Sequence, residues 1–155
     1  MEALSSDVSR TIVTRLVLPP DTNHMGTIFG GTVLSYIDEI AAIAAMKHSR
    51  KVVVTASIDT VNFMSSAEVG DILTLEACVI STGRTSMEVF VKVESEDLTT
   101  GERTLTTTSI LSMVAKDDEG GPTPVPGVTP QTEDEKRLLQ TAQQRKQRRL
   151  EMRNQ

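Results

Sequence analysis

The segment NHMGTIFGG (residues 23–31) runs directly into TVLSYIDEIAAIAAMK (residues 32–47), and these two segments decide the fold. The second has apolar residues at three- and four-residue spacing, which places them on one broad face of a helix, and its alanines favour helix strongly. The members of this apolar face are Val33, Leu34, Ile37, Ile40, Ala41, Ala44 and Ala45. The sequence therefore predicts a long apolar helix that begins at Gly30 and Gly31 and ends at the basic segment 48–51.

The start of this helix is a candidate substrate site, because two glycines and a carboxylate lie near it in sequence. Gly30 and Gly31 let a ligand approach the backbone closely, and the first helical turn leaves N–H groups free to bind a negative charge or a carbonyl oxygen. Asp38 lies beside apolar residues of the helix, where a carboxylate is costly unless it has a function. Two simpler interpretations stay open: the glycines can serve only as a helix entry, and Asp38 can be a surface residue next to Glu39.

The composition limits the class of protein. With one cysteine, Cys78, and two histidines, His24 and His48, the chain offers neither a disulfide framework nor a set of zinc ligands. Its N-terminus carries Glu2 and Asp7, and no segment approaches the roughly 20 apolar residues of a membrane span. These observations predict a soluble, cytoplasmic protein without a signal peptide.

Charge is distributed unevenly along the chain. Residues 1–128 contain 9 Lys+Arg and 17 Asp+Glu, whereas residues 129–155 contain 7 Lys+Arg and 4 Asp+Glu. Nucleic-acid binding by the main body is not expected, because phosphate neutralisation needs a basic face. The basic run at residues 145–149 is typical of a solvated helix face, although it could contact an acidic partner.

Five segments show the alternation of apolar and polar side chains that is typical of β-strands. They are residues 9–18, before the helix, and residues 52–64, 72–81, 87–94 and 103–115 after it. This order predicts an α+β protein in which a five-stranded antiparallel sheet curls around one long central helix. The helix is apolar over more of its surface than one sheet covers, which indicates that a second subunit covers the rest.

The composition changes after the last predicted strand. Residues 117–130 are rich in proline and glycine, which is typical of a linker. Residues 131–155 are polar and charged, and they predict a C-terminal tail that is either helical or disordered. We therefore divide the chain into a folded domain at residues 9–116, a linker at residues 117–130 and a charged tail at residues 131–155.

Several separated motifs together resemble a known family. They are PPDTNHMGTIFGG (residues 19–31), Asp38 seven residues after the second glycine, VNF (residues 61–63), VGD (residues 69–71) and GRTS (residues 83–86). In this order and spacing they are similar to the hot-dog-fold acyl-CoA thioesterases, and most similar to the cytosolic acyl-CoA hydrolase type related to the brain long-chain enzyme. The resemblance covers roughly residues 9–116.

This resemblance implies a fold, an assembly and an activity. The long helix would be wrapped by the five strands, and two subunits would form a dimer by joining their sheets, commonly within a hexamer that is a trimer of dimers. The implied reaction is hydrolysis of fatty acyl-CoA to a free fatty acid and coenzyme A. It implies no metal and no redox cofactor, since coenzyme A is part of the substrate and the product.

The resemblance also implies roles for three residues. Asp38 matches the family's catalytic carboxylate, which acts on water as a general base or attacks the thioester as a nucleophile. Asn23 matches the family's catalytic asparagine, and in the family this asparagine and the aspartate of one site come from opposite subunits. The N–H of Gly31 and the helix dipole would stabilise charge on the thioester oxygen. Without the resemblance, Asn23 would be interpreted as a residue that caps a turn.

Five further residues are implied to bind the coenzyme A part of the substrate. Asn62 and Phe63 would border the pantetheine channel. Arg84, Thr85 and Ser86 would approach the phosphates, where the guanidinium can form charge-assisted hydrogen bonds. The simpler interpretation of these last three residues is an ordinary polar hairpin turn.

Two other functions stay open. A non-catalytic module that binds or senses acyl-CoA could use the same scaffold, but it needs no pair of Asn23 and Asp38. A hot-dog hydratase or dehydratase would need its own acid/base motif, so we expect His24 to be a lining residue at most. Cys78 has no evident histidine or aspartate partner, and we expect a packing residue or an inert surface thiol.

Overall fold

In a computed structural model, which describes residues 1–154, a five-stranded sheet wraps around one long helix. In chain order the elements are β1 (Leu4–Ser5), α1 (Ser6–Ser9), β2 (Thr11–Leu16), a 3-10 turn (Pro19–Asp21), α2 (Gly30–Ser49), β3 (Val52–Phe63), β4 (Ile72–Thr82), β5 (Ser86–Glu96), β6 (Arg103–Lys116), β7 (Val128–Thr129), α3 (Glu133–Gln140) and α4 (Ala142–Arg153). The long helix and the five long strands confirm the predicted α+β architecture.

The helix α2 has the bounds and the buried face that its sequence predicts. It ends at Arg50, whose φ of 58° is left-handed and whose N–H donates to the Met46 carbonyl at 2.8 Å. Most of the predicted apolar face is at most 4% exposed: Val33, Ile37, Ile40, Ala41, Ala44 and Ala45. Leu34, the remaining member, is half-buried. This apolar face therefore holds the helix against the sheet.

The five long strands form one antiparallel sheet in the order β2-β4-β5-β6-β3. Alternation along each strand assigns side chains to its two faces. Val89 on β5 pairs with Leu111 on β6, and both belong to the core that packs on α2. Phe90 and its partner Ile110 point to the opposite face. The sheet therefore has an inner face against α2 and an outer face that needs other cover.

The strand β3 lies at one edge of the sheet and pairs only with β6. Within residues 1–154 its other edge is open, and three apolar side chains on it, Val52, Val54 and Ile58, are 68%, 44% and 36% exposed. A long edge strand with exposed apolar side chains is a surface to which another strand can pair.

The first long strand is shorter than the predicted residues 9–18. It begins at Thr11 because Ser9 still belongs to the single turn α1. It ends at Leu16, although the N–H of Val17 still donates to the carbonyl of Asp71 at 3.0 Å in the same register. The 3-10 turn begins at Pro19, and Pro19 and Pro20 have no N–H with which to continue the pairing with β4.

Residues 117–130 are packed against the body of the protein. Within this segment β7 pairs in parallel with β1, and Val125 is 7% exposed. The Nε2 atom of the buried His48, at the end of α2, lies 2.8 Å from the Pro126 carbonyl oxygen. The elements β1, α1 and β7 were not predicted, because each is too short to show a periodic pattern.

The end of the chain forms the two helices α3 and α4, so its helical alternative is confirmed. Two arginines of α4 bind carboxylates on the outer face of the sheet. Arg145 donates from Nε and Nη2 to the two oxygens of Glu88 at 2.8 Å each, and Arg149 donates to Glu88 at 2.9 Å and to Asp59 at 3.0 Å. Arg145 is 9% exposed. The prediction of a solvated basic face is therefore wrong for these two arginines.

The acceptor of these bonds, Glu88, is a buried carboxylate at 4% exposure. Burial acts to raise the pKa of Glu88, but the hydrogen bonds from Arg145, Ser81 and Arg149 outweigh it and hold that pKa below its usual value. Two of these three donors belong to α4, so the charged state of Glu88 depends on that helix.

A second buried carboxylate anchors α3. Glu135 is 3% exposed and accepts hydrogen bonds from the Ser6 hydroxyl, from Arg10 Nη2 at 2.7 Å and from the Thr132 hydroxyl at 2.8 Å. Burial acts to raise the pKa of Glu135, but these hydrogen bonds outweigh it and lower the pKa to about 2. The two helices of the tail are thus fixed to the sheet and to α1 through buried charges.

Candidate active site

Asp38 lies on the flank of α2 that faces the edge strand β3. Its side chain is half-buried, and its Oδ1 accepts a hydrogen bond from the Thr55 hydroxyl at 2.6 Å. Within residues 1–154 the Oδ2 atom has no hydrogen-bond partner. Thr55 was not among the predicted site residues, because one hydroxyl in a strand rich in β-branched residues gives no signal. The contact holds the carboxylate in one orientation and leaves one oxygen free for chemistry.

Asn23 lies in the loop between β2 and α2, and its side chain organises that loop. Its Oδ1 accepts from the N–H of Met25 at 2.9 Å and from the N–H of Thr27 at 3.3 Å, and its Nδ2 donates to the Thr27 hydroxyl at 2.9 Å. The turn-capping interpretation of Asn23 therefore describes what its Oδ1 does. The catalytic interpretation depends on the Nδ2 group, which has a second hydrogen.

The start of α2 offers free N–H groups, as its two glycines predict. The N–H groups of Thr32 and Val33 donate to the Phe29 carbonyl at 3.0 and 3.2 Å, but those of Gly30 and Gly31 have no acceptor in the part of the chain that the structure describes. Both glycines are exposed. These two N–H groups can therefore donate to an oxygen atom of a ligand.

A cavity of about 250 Å³ adjoins this helix start. Asn23, Gly30 and Phe63 line it together, with Val33 and Leu73 among the apolar residues of its wall. A Cβ added at Gly30 would lie 3.4 Å from the Phe63 ring, so that ring sits directly against the first residue of the helix. The structure thus brings Asn23, Gly30 and Phe63 to one place.

Asp38 is not part of that place. It is seven residues after Gly31, which corresponds to about 10 Å along the helix axis, and it does not line the cavity. Its partner Thr55 is eight residues before Phe63, about 26 Å along β3. Within one subunit, the predicted carboxylate of Asp38 and the predicted asparagine Asn23 therefore lie in different places.

The segment Arg84–Ser86 lies on the same side of this division as Asp38. Ser86 pairs with Val114 on β6, and Val114 pairs with Val54 on β3, so this segment lies two strands from the residue before Thr55, about 10 Å away. Arg84 is exposed and forms no ion pair within residues 1–154. Its guanidinium is available to an anionic group.

The backbone of the Arg84–Ser86 turn is held by hydrogen bonds from β6 and from the segment 117–130. The Thr85 carbonyl accepts from the N–H of Ala115 at 3.0 Å, and the Arg84 carbonyl accepts from the N–H of Val125 at 2.9 Å. Asn62 lies at the other end of β3, is exposed, and has its Nδ2 atom 3.5 Å from the Thr108 hydroxyl. The five residues predicted to bind coenzyme A are thus divided between the two places.

We find no further reactive centre at Cys78 or His24, and no cluster of metal-binding side chains, in the described residues. Cys78 is 3% exposed on the outer face of the sheet, and burial raises the pKa of its thiol to about 12, so it is a packing residue. His24 is exposed and does not line the cavity. Over residues 1–154 no group of three or more His, Cys, Asp or Glu side chains is placed to hold a metal ion. The helices in the same range include none long and apolar enough to span a membrane.

Comparison with known proteins places the chain in a family. The family model described as the thioesterase superfamily matches residues 25–102. An uncharacterized acyl-CoA thioester hydrolase of Bacillus subtilis is 50% identical over 137 residues, which cover 88% of this chain and 80% of that protein.

Two solved structures have the same fold over almost the whole chain. An apo-hexameric acyl-CoA thioesterase is 64% identical with a TM-score of 0.95, covering 98% of this chain and 97% of that one. An acyl-CoA hydrolase of Staphylococcus aureus, in complex with butyryl coenzyme A, coenzyme A and coenzyme A disulfide, is 46% identical with a TM-score of 0.91, covering 97% and 92%. The Staphylococcus protein has also been solved as variants in which an aspartate, an asparagine or a threonine is replaced by alanine. The chain therefore belongs to the thioesterase superfamily, within its group of hot-dog-fold acyl-CoA hydrolases.

Proposed function

We propose that this protein hydrolyses fatty acyl-CoA to a free fatty acid and coenzyme A at a site shared by two subunits. The observation that carries the proposal is the division of the site along β3. Asp38, Thr55 and Arg84 lie near the first half of β3. Asn23 and Gly31 lie near the last residue of β3, Phe63. Neither half combines the predicted carboxylate base, Asp38, with the predicted donors for the thioester oxygen, Asn23 and Gly31.

An antiparallel pair of β3 strands unites the two halves. In an isologous dimer that joins two sheets at this edge, the first half of one β3 lies opposite the second half of the other. The open edge and the exposed Val52, Val54 and Ile58 supply a surface for such pairing. Two equivalent sites follow, each with Asp38 of one subunit and Asn23 of its partner. The hexameric relative supports a hexamer, which would form here as a trimer of such dimers.

The chemistry within one site follows from the atoms that are free. The Oδ2 atom of Asp38 takes a proton from water, and the hydroxide attacks the thioester carbonyl carbon. In the alternative, the carboxylate itself attacks that carbon and forms an anhydride that water then cleaves. In both cases negative charge develops on the carbonyl oxygen, and the N–H of Gly31 and the free Nδ2 hydrogen of Asn23 are its donors. Collapse of this intermediate breaks the C–S bond, and the coenzyme A thiolate leaves and takes up a proton.

The coenzyme A part of the substrate would extend from this centre towards Arg84. Its guanidinium is exposed and free of ion pairs within the described residues, which suits charge-assisted binding of phosphate groups. Thr85 and Ser86 continue the same turn, and Asn62 and Phe63 would border the pantetheine at the other half of the site. The Staphylococcus relative, which binds butyryl coenzyme A and coenzyme A, supports this class of ligand.

Thiol release from a panel of acyl-CoAs, from short to long chains, tests the function and defines the substrate. We expect hydrolysis by the wild type and a loss of at least about 100-fold in kcat for Asp38→Asn. Glu39→Gln is the matched control, because Glu39 is the next carboxylate on the helix, is exposed and pairs with Arg15 at 2.9 Å. It should keep wild-type activity.

Three outcomes would contradict the proposal. Binding of coenzyme A esters without hydrolysis of any of them would indicate a sensing module. Activity that survives in a folded Asp38→Asn variant would keep the enzyme class and refute the assigned base. Dehydration of a 3-hydroxyacyl-CoA, measured in the same samples, would identify the hydratase alternative.

We further propose that the reaction needs no metal or redox cofactor and takes place in the cytoplasm. A carboxylate and water suffice for thioester hydrolysis, so dialysis against a chelator should leave kcat unchanged. A loss of activity that added metal restores would contradict this. Cell fractionation tests the location.

A further inference from the structure

The hydroxyl of Thr27 is bound to Asn23 and to no other side chain in the described residues. Its Oγ1 lies 2.9 Å from Asn23 Nδ2 and 3.2 Å from Asn23 Oδ1. The same two residues are joined through their backbones, since the N–H of Asn23 donates to the Thr27 carbonyl at 2.8 Å. Thr27 is half-buried and lines the cavity together with Asn23. Its position is therefore fixed relative to the asparagine amide.

These distances decide which amide hydrogen of Asn23 is free. An amide NH₂ has one hydrogen on the side of its oxygen and one on the opposite side. Because Oγ1 is close to both Nδ2 and Oδ1, it lies on the oxygen side and accepts the hydrogen there. The N–H groups of Met25 and Thr27 occupy Oδ1, so the amide cannot turn over without placing its NH₂ against two donors. Only the hydrogen opposite Oδ1 has no acceptor within residues 1–154.

Backbone hydrogen bonds to residues 67–69 hold the loop that contains Asn23 and Thr27. The N–H of Ile28 donates to the Ala67 carbonyl at 2.9 Å, and the N–H of Val69 donates to the Gly26 carbonyl at 3.2 Å. These backbone bonds do not involve the Thr27 hydroxyl. Removing that hydroxyl should therefore leave the Asn23 amide held only through its Oδ1, with its NH₂ group less firmly oriented, without releasing the loop.

We propose that Thr27 is a positioning residue, whose hydroxyl fixes the Asn23 amide so that its single free N–H hydrogen is aimed at the reacting thioester. The inference rests on the proposed catalytic role of Asn23. Thr27 does not touch the substrate in this account. It acts through the asparagine by keeping one donor in the orientation that the developing oxyanion needs.

The test compares Thr27→Val with Thr27→Ser. Valine keeps the shape of the side chain and removes the hydroxyl, whereas serine keeps the hydroxyl. With butyryl-CoA as substrate, we expect Thr27→Val to lower kcat by about tenfold, the effect of one hydrogen bond, with KM within about threefold of the wild type. Thr27→Ser should restore kcat to within about threefold.

Thr22→Val is the matched control in the same loop. The Thr22 hydroxyl also makes one local hydrogen bond, to the Pro19 carbonyl at 2.7 Å, but none to Asn23. It should leave kcat at the wild-type value. A double variant separates an effect through Asn23 from a general loosening of the loop: if Thr27 acts only through the amide, Thr27→Val should lower kcat no further in an Asn23→Ala background.

The outcomes distinguish this inference from the function on which it rests. If Asn23→Ala keeps full activity, the role of Asn23 is wrong and the positioning role of Thr27 is wrong with it. If Asn23→Ala is impaired and Thr27→Val is as active as Thr22→Val, only the positioning role is overturned. A loss in Thr27→Val that serine does not restore, or that adds to the loss in Asn23→Ala, would show a structural role and also overturn it.

Discussion

The attachment of α4 to the sheet depends on the buried pair of Arg145 and Glu88. Arg145→Met removes two hydrogen bonds of 2.8 Å from a carboxylate that is 4% exposed, and it leaves that carboxylate with Arg149 at 2.9 Å and Ser81 at 2.5 Å. Removing one partner of a buried pair costs about 3–5 kcal/mol, and because Arg149 stays we expect about 3 kcal/mol. For a chain of this length, this lowers Tm by about 9 °C.

Thermal unfolding followed by circular dichroism, at one protein concentration for all variants, measures this loss. Lys146→Met is the matched control, because Lys146 is the next residue of α4 and is exposed; it should unfold within about 2 °C of the wild type. Replacing both partners, Arg145→Met with Glu88→Leu, should be less destabilising than Arg145→Met alone, since no uncompensated buried charge remains. Equal Tm values for Arg145→Met and Lys146→Met would refute the reasoning.

Two further predictions concern other buried groups. The pKa of Glu135 is lowered to about 2 from an ordinary value of 4.5, so its stabilising contribution is complete above pH 4.5 and is lost as the pH falls towards 2. The Tm difference between the wild type and Glu135→Gln should therefore narrow on acidification from pH 7 to pH 3, and a constant difference would contradict it. Cys78, at 3% exposure and with the pKa of its thiol raised to about 12, should not react with an aromatic disulfide reagent at pH 8 until the protein is unfolded; rapid labelling of the native protein would contradict its packing role.

The sequence was sufficient to predict the elements that depend on local patterns. The spacing of apolar residues and the two glycines predicted α2. Alternation predicted each end of the five long strands to within two residues. The same local logic placed Gly31 at the helix start with a free N–H. The first strand was predicted two residues too long at each end, because its start depends on α1, which is too short to show a periodic pattern, and its end precedes the 3-10 turn at Pro19.

The parts that could not be predicted join residues far apart in the chain. Arg145 and Glu88 are 57 residues apart, and Thr55 and Asp38 are 17 apart, so no local spacing indicates either contact. The four-residue spacing of Arg145 and Arg149 places them on one helix face, but the sequence does not tell whether that face meets solvent or a buried carboxylate. The roles of Asn23, Asp38 and Gly31, and the division of the chain at residues 116 and 130, stay predictions.

The central claim is that each active site combines Asp38 of one subunit with Asn23 of its partner. Mixed assembly of Asn23→Ala and Asp38→Asn chains tests it directly, because each variant alone lacks one component in every site. Co-expression of the two chains in equal amounts, with purification of the assembled oligomer, should restore about a quarter of the wild-type activity, since half the dimers are mixed and each mixed dimer has one intact site. If both residues act within one subunit, every site in the mixture carries one substitution. Activity no higher than that of the two variants alone would therefore contradict the account.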